Sequence, residues 1–197
     1  TIQKRNYLPL KVLQSVFVKY APLLSSKSLT TLEALAIASL YTFLPPRRLE
    51  YRLLRVIFVA DKKKLQTFNT SSLDKNWNYV FVDETFLPLR ITIHKFKESE
   101  AMGTFELDFL NLTRVLRQLQ GSRITDMEET RKNVQNFIDA RVEDGSLVQE
   151  NFNTKNPPYL FLQIYKKKSP GDGYPTSAQF SSKIRKAFKK LFGKNPK

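Results

Sequence analysis

Residues 44–56 hold the most conspicuous group of charged side chains in this sequence. Four arginines and one glutamate stand there between two apolar segments, which is a costly place for charge. Pro45 and Pro46 end the preceding helix and hold the chain extended. Arg47 follows directly, with Glu50 three residues later, so its guanidinium fork would be held between rigid elements. The pattern alone leaves open an ordinary helix–helix corner capped by surface charge. Arg48, Arg52 and Arg55 are interpreted as contacts to a nucleic-acid backbone or as solvated charges.

Residue counts exclude several classes of catalytic or metal site. The chain has no cysteine, which excludes disulfides, a thiolate nucleophile and a cysteine-based zinc site. With His94 as the single histidine, neither a metal site nor a cofactor is expected. Residues 171–173 read Gly-Asp-Gly but lack the strand and helix of a phosphate-binding loop. Asp126, Glu128 and Glu129 are interpreted as the acidic first turn of a helix rather than an acid–base set.

The net charge of +15 is unevenly distributed along the chain. Residues 1–70 carry 12 basic and 3 acidic side chains, residues 71–165 carry 11 and 14, and residues 166–197 carry 10 and 1. Two basic ends around a mildly acidic middle are expected where both ends face a polyanion, and nucleic acid is the predicted partner. A membrane is not expected, because no apolar run approaches 18 residues.

The size and composition predict a folded protein. At 197 residues, with 41% hydrophobic and 12% aromatic content, the chain can form one or two domains with a sizeable core. The absence of cysteine and of a leader peptide favours an intracellular setting, in a host nucleus, cytoplasm or virion, rather than secretion. The sequence begins at Thr1, which fits a processed protein or a fragment.

The periodicity of apolar residues predicts an α+β fold, with a helical body and a small antiparallel sheet of three or four strands on one side. Thr30 and Glu33 have the spacing of a capping box, and residues 61–64 are interpreted as a charged turn. The predicted helices cover residues 8–24, 32–41, 110–120, 126–141 and 177–192, with a short helix starting at Arg47. The predicted strands cover residues 56–59, 76–82, 89–96 and 104–109.

The segment Leu-Pro-Pro-Arg-Arg-Leu-Glu-Tyr-Arg-Leu-Leu resembles the first conserved box of the tyrosine recombinases, the phage-integrase family. That box reads approximately Thr-Gly-Leu-Arg-x-Ser-Glu-Leu-x-x-Leu-x-Trp. Arg47 matches its arginine, Glu50 its glutamate and Leu54 its later apolar position. The wording around the two prolines is most similar to divergent integrase-like proteins of large DNA viruses and mobile elements. Pro45-Pro46 and Leu49 depart from the family's glycine and serine.

The resemblance implies two active-site residues. Arg47 would bind the scissile phosphate and contribute roughly 3 kcal/mol of transition-state stabilisation. The family carries a lysine on the β-hairpin after this box, where it acts as a general acid. Lys97 stands at that position and Lys95 is the second choice. Glu50 would be a structural partner. Without the first box, Lys97 would be interpreted as a solvated hairpin lysine.

The family's second box, His-x-x-Arg, and its later nucleophilic tyrosine have no match. His94 stands in His-Lys-Phe-Lys, and Tyr174 is interpreted as a packing residue or a nucleic-acid contact. The resemblance covers residues 30–120 and 159–197. The predicted protein is therefore an incomplete or inactive recombinase domain that binds DNA, and no catalysis is expected from residues 1–197 alone.

The domain organisation and partners follow from the same comparison. Residues 1–29 are predicted to be an N-terminal helix and linker, and residues 30–197 a catalytic-type domain with an insertion at 121–158 and a basic segment at 166–197. Double-stranded DNA is the predicted partner, with oligomerisation on DNA as an option. A non-enzymatic RNA, ribonucleoprotein or virion component is the alternative. The predicted DNA contacts are basic side chains: Arg48, Lys95, Lys166, Lys167, Lys168, Lys183, Lys186 and Lys190.

Overall fold

The described part of the chain comprises eight segments. A computed structural model describes residues 10–21, 28–44, 50–60, 62–95, 103–111, 124–148, 156–163 and 173–192. Most of the predicted helix at residues 110–120 lies outside these segments, and so does the start of the predicted helix at Arg47. The predicted site residues that lie outside them are Arg47, Arg48, Lys97, Lys166, Lys167 and Lys168.

Five α-helices and four strands occur in these segments, and the α+β class is confirmed. The helices are α1 (Leu10–Tyr20), α2 (Leu29–Phe43), α3 (Lys62–Thr67), α4 (Ile124–Glu143) and α5 (Ser177–Phe192). The strands are β1 (Leu54–Phe58), β2 (Asn78–Val82), β3 (Pro88–Ile93) and β4 (Phe105–Asp108). Short 3-10 helices cover Glu50–Leu53 and Thr70–Ser72.

Helix α2 is the centre of the helical body. It is apolar on most of its circumference and is buried by α4, α5 and α1, as expected for a helix without a polar face. Leu44, which precedes Pro45, leaves the helix with extended angles (φ −97°, ψ 162°), as the proline predicts. The predicted capping box is wrong, because Ser28 is the N-cap residue and Thr30 lies inside the helix.

The sheet is mixed, with strand order β1-β2-β3-β4. The predicted antiparallel pairing holds for β2–β3 and β3–β4, but β1 and β2 are parallel. The physical reason lies between those two strands. The lysine-rich stretch interpreted as a turn begins α3 instead, and α3 with the 3-10 helix at Thr70–Ser72 forms a crossover long enough to return the chain in the same direction.

The two faces of the sheet bury different clusters. Alternate side chains on the helical face, including Leu54, Val56 and Val80, pack against α2, α4 and α5. The opposite side chains, including Ile57 and Phe81, form a smaller cluster on the outer face with Leu65 of α3 and Leu73. Burial on both faces explains why β1 and β2 read as nearly continuous apolar runs.

Residues 156–163 lie along the outer edge of β1. The N–H of Val56 donates to the carbonyl of Pro158 (2.8 Å), the N–H of Leu160 donates to the carbonyl of Leu54 (2.8 Å), and Arg55 forms an antiparallel bridge with Tyr159. We call residues 156–163 the edge segment. It pairs with β1 over a few residues but does not form a regular strand.

Arg141 attaches the edge segment to α4. It is only 1% exposed, and its Nη1 donates to the carbonyls of Tyr159 and Leu160 while its Nη2 donates to the carbonyl of Ser146 (2.8 Å). Gly145 has φ 73°, a left-handed conformation that suits glycine after a helix C-terminus. It turns the chain back so that Ser146 reaches Arg141. Helix α4, which the resemblance leaves in an insertion, is therefore part of the core.

Candidate functional site

Asn78 joins the two chain segments that lead to the predicted catalytic residues. Its Nδ2 donates to the carbonyl of Glu50 (2.9 Å) and to the carbonyl of Lys95 (3.3 Å). Its Oδ1 accepts from the N–H groups of His94 (2.9 Å) and Lys95 (2.8 Å). One fully buried side chain thus connects the turn before β1 to the end of β3. We call this arrangement the Asn78 junction.

The strand positions explain why an asparagine occupies this place. Asn78 is the first residue of β2 and lies opposite Leu54 on one neighbour and Ile93 on the other. Both neighbouring strands begin or end there, so their terminal carbonyl and N–H groups lack further strand partners. A buried amide with two donors and an acceptor satisfies them.

Lys95 and Glu50 differ in their exposure at the junction. Lys95 is exposed, two residues after the end of β3, and is available to a partner. Glu50 is partly buried, and its Oε2 is buried with no hydrogen-bond partner in the described residues. Burial and the nearby Glu50 carboxylate raise the pKa of Tyr41 above its usual range. The tyrosine hydroxyl therefore stays protonated beside this carboxylate.

The predicted DNA contacts on α5 divide into two groups. Lys183 forms an ion pair with Glu33 of α2 (2.7 Å and 3.1 Å to the two carboxylate oxygens), and Lys190 donates to the Thr31 hydroxyl. Those two ammonium groups hold α5 on α2. Lys186 is exposed together with Arg185 and Lys189. The outward face of α5 therefore carries the basic surface.

Arg55 is buried, so the interpretation of this residue as a backbone contact or solvated charge is wrong. It is 8% exposed and lies on the outer face of β1. Its guanidinium donates to Asn156 Oδ1 (2.8 Å), the Pro157 carbonyl (3.2 Å) and the Tyr159 hydroxyl (2.7 Å). It also lies over two rings, 4.2 Å from the centroid of Trp77 and 4.4 Å from that of Tyr159.

Three aromatic rings surround the arginines of this region. Trp77, Tyr159 and Tyr174 lie 5.1 to 5.4 Å apart between centroids, within the range of favourable aromatic pairs. Arg52 lies over the Tyr174 ring at 5.1 Å and donates to the Pro175 carbonyl. The packing role considered for Tyr174 is confirmed. We call Arg52, Arg55, Trp77, Tyr159 and Tyr174 the arginine–aromatic cluster.

A cavity of about 540 Å³ opens beside this cluster. Arg55 and Trp77 form part of its wall. The rest of the wall comes from the β1–β2 crossover, strand β2 and the edge segment: Ser72, Asp74, Tyr79, Asn156 and Pro157. The cavity was not predicted, because its lining residues are scattered between Arg55 and Pro157 in the sequence. The sequence did contain one signal for it. Arg55 is a charged residue inside an apolar strand, and a buried charge needs polar or charged partners.

His94 is buried at the end of β3, next to the Asn78 junction. Its Nδ1 lies 2.9 Å from the Thr104 hydroxyl, and its ring packs on Tyr79. Burial lowers the pKa of His94, the Lys75 charge adds to that effect, and Glu106 opposes it. The neutral imidazole is therefore the form that the fold favours.

The lowered pKa of His94 predicts a loss of stability in mild acid. The unfolded chain therefore protonates His94 at higher pH than the folded chain does. The contribution of His94 to the free energy of unfolding is complete above the ordinary histidine pKa of about 6.5 and decreases as the pH falls below it. We expect the urea midpoint to drop between pH 7.5 and pH 5. His94→Gln should show a smaller drop over the same interval. Equal drops in the two proteins would contradict the prediction.

No protein-family model, no curated protein and no solved structure matches the chain. Among the residues described here, no helix is long and apolar enough to cross a membrane. In the same part of the chain, no three His, Asp or Glu side chains cluster in a way that could hold a metal ion.

Proposed function

We propose that this chain is a DNA-binding domain of the tyrosine recombinase type, in which Arg47 and Lys97 act on one phosphate. The Asn78 junction is the observation that carries the proposal. Arg47 is three residues before Glu50 and Lys97 is two residues after Lys95. Because a residue spans at most about 3.6 Å, their Cα atoms lie within roughly 11 Å and 7 Å of the junction residues.

The chemistry of the proposed site is phosphoryl transfer. The Arg47 guanidinium binds the non-bridging oxygens of the scissile phosphate, where negative charge accumulates in the transition state. The Lys97 ammonium would protonate the leaving 5′ oxygen only when a tyrosine hydroxyl attacks the phosphorus. No attacking tyrosine hydroxyl is assigned in residues 1–197, so the proposed role of Arg47 and Lys97 is to bind and polarise the phosphate.

The distribution of charge supports a duplex DNA partner. Exposed Lys95 lies at the junction, and Arg185, Lys186 and Lys189 are exposed on α5. Basic side chains that are not needed inside the fold are free to neutralise phosphates and release counterions. The mildly acidic middle of the sequence contributes α4, whose exposed Glu128 and Glu129 would face away from the DNA.

A scan with neutral phosphates tests the proposal. The full chain is titrated by fluorescence anisotropy against a labelled duplex, and then against duplexes in which one phosphate at a time is a methylphosphonate. An arginine clamp predicts one position where neutralisation weakens binding roughly ten- to hundredfold, the value of a charged hydrogen bond. Arg47→Ala should weaken binding to the unmodified duplex equally and remove the effect at that position.

Matched variants separate the clamp from general attraction. Lys186→Ala should weaken binding at all positions alike and lower the salt slope by about 1. Lys132→Ala, an exposed lysine on α4, should change nothing. A scan without any special phosphate, with Arg47→Ala behaving as Lys186→Ala, overturns the recombinase proposal and favours a structural nucleic-acid-binding protein.

A further inference from the structure

We propose that the cavity beside the arginine–aromatic cluster binds an unpaired guanine base. The inference rests on the proposed nucleic-acid function and assigns a second contact to it. The cavity lies on the outer face of the sheet, whereas Asn78 belongs to the helical face. Binding of a base can therefore be measured separately from binding of the phosphate at the junction.

The size and lining of the cavity suit a planar polar ligand. Its volume of about 540 Å³ lies in the range of small-molecule sites, roughly 300 to 1,000 Å³. Trp77 is part of the wall and is partly exposed, so a ring in the cavity contacts the indole. Aromatic stacking of this kind contributes about 1–3 kcal/mol per base in single-strand binding.

Arg55 gives one wall a positive charge. In the described residues no carboxylate lies within ion-pair distance of its guanidinium, which is instead held by three neutral oxygens and two rings. Its Nε is buried from solvent and has no hydrogen-bond partner in the same residues. A buried charge without a counter-charge favours electronegative ligand atoms, and guanine presents two, O6 and N7, side by side.

Asp74 places a carboxylate, which is negatively charged and accepts hydrogen bonds, in the wall of the same cavity. The Tyr79 hydroxyl donates to its carbonyl (2.8 Å), and its Oδ1 accepts from the backbone N–H and side-chain amide of Asn76 (both 2.9 Å). The carboxylate is thus oriented before a ligand arrives. Its Oδ2 makes no hydrogen bond within the described residues. The amide of Asn76, which is exposed, can give way to a ligand donor.

Guanine fits these two walls better than the other bases. Its N1–H and N2–H donors are adjacent and both can donate to the Asp74 carboxylate, while O6 and N7 accept from donors on the arginine side. Adenine has an amino donor but no N1–H, and uracil has one N–H between two carbonyls that a carboxylate repels. A base in this cavity must be unstacked and unpaired, at a cost of a few kcal/mol in a duplex.

The single tryptophan makes the proposal directly measurable. Trp77 is the only tryptophan of the chain, so its fluorescence reports this cavity. The full chain is titrated with GMP, IMP, AMP, CMP and UMP, with calorimetry as the second measurement. We expect GMP to quench Trp77 and to bind at least about tenfold more tightly than AMP or UMP. IMP, which lacks the N2 amine, should bind more weakly than GMP. Equal affinity for the nucleotides, or no binding of GMP, overturns the proposal.

Two aspartate variants provide the matched comparison. Asp74→Asn keeps the acceptor for Asn76 but loses the charge, and should reduce GMP affinity about tenfold while leaving AMP affinity unchanged. Asp83→Asn is the control, because Asp83 makes a similar turn with Thr85 and Leu87 and does not line the cavity. An equal response of the two variants overturns the role of Asp74.

The outcome also separates this inference from the proposed function. Duplex binding with an Arg47-dependent phosphate, together with no GMP binding, removes only the base site. GMP binding that depends on Asp74, together with no special phosphate in the duplex scan, removes only the recombinase proposal.

Discussion

Replacing Arg141 with methionine is expected to lower the free energy of unfolding by about 3–5 kcal/mol. The methionine leaves the carbonyls of Tyr159, Leu160 and Ser146 buried without the donors that now satisfy them. Each such loss costs about 1–3 kcal/mol, and losses within one network do not add fully. The edge segment would also lose its attachment to α4. Urea unfolding followed by far-UV circular dichroism measures the effect.

Two controls accompany this prediction. Lys132→Met changes an exposed residue of the same helix and should shift stability by less than about 0.5 kcal/mol. Arg141→Lys keeps the charge but cannot supply donors in a planar fork, so an intermediate loss is expected. If Arg141→Met unfolded at the wild-type urea midpoint, the hydrogen bonds of Arg141 would not contribute to stability as predicted.

Asn78→Ala is expected to cost about 3 kcal/mol of stability and to weaken DNA binding as well. Alanine leaves the N–H groups of His94 and Lys95 and the carbonyl of Glu50 without their buried partner. Because the junction holds the segments that lead to Arg47 and Lys97, its loss should also disturb the phosphate site that we propose for these two residues. Urea unfolding and duplex titration at a temperature where the variant is folded measure the two effects.

The comparison variants for Asn78 separate its acceptor from its donors. Asn78→Asp keeps the acceptor for two N–H groups but turns a carboxylate toward the carbonyls of Glu50 and Lys95, so it should lose nearly as much stability. Asn76→Ala, two residues earlier and exposed, should have a small effect. If Asn78→Ala is unstable yet the folded variant binds DNA like the wild type, the junction stabilises the sheet without serving the proposed site.

The elements that the sequence predicts well are those with a clear period or a clear stop. Helix α5 shows a 3.6-residue apolar stripe over its full length, and α2 is ended by two prolines. The strands alternate or read as short β-branched runs. The parallel pairing of β1 with β2 was not predictable from such signals, because strand direction depends on the crossover. The three lysines of that crossover look like a solvated turn as much as a short helix.

The candidate site could be predicted only in part, for a different physical reason. Arg47 and Lys97 stand out through a motif, but the side-chain contacts of Asn78 and Arg55 span long sequence distances. Asn78 bonds to residues 28 and 17 positions away, and Arg55 to Tyr159 across 104 positions. Side-chain contacts with distant backbone groups leave no periodic trace. Lys183 illustrates the same difficulty. Its position on a basic helix predicts a DNA contact, but its ion pair with Glu33 is visible only in the structure.

The edge segment at residues 156–163 also covers an edge of the sheet that could otherwise pair with a strand of another molecule. A β1 edge left bare would present the N–H of Val56 and the carbonyl of Leu54 to any extended chain, and such edges recruit strands from other molecules. The pairing with Pro158 and Leu160 occupies both groups, and Arg141 keeps the segment in place. At these two positions the edge of β1 therefore offers no free backbone group to a strand of another molecule.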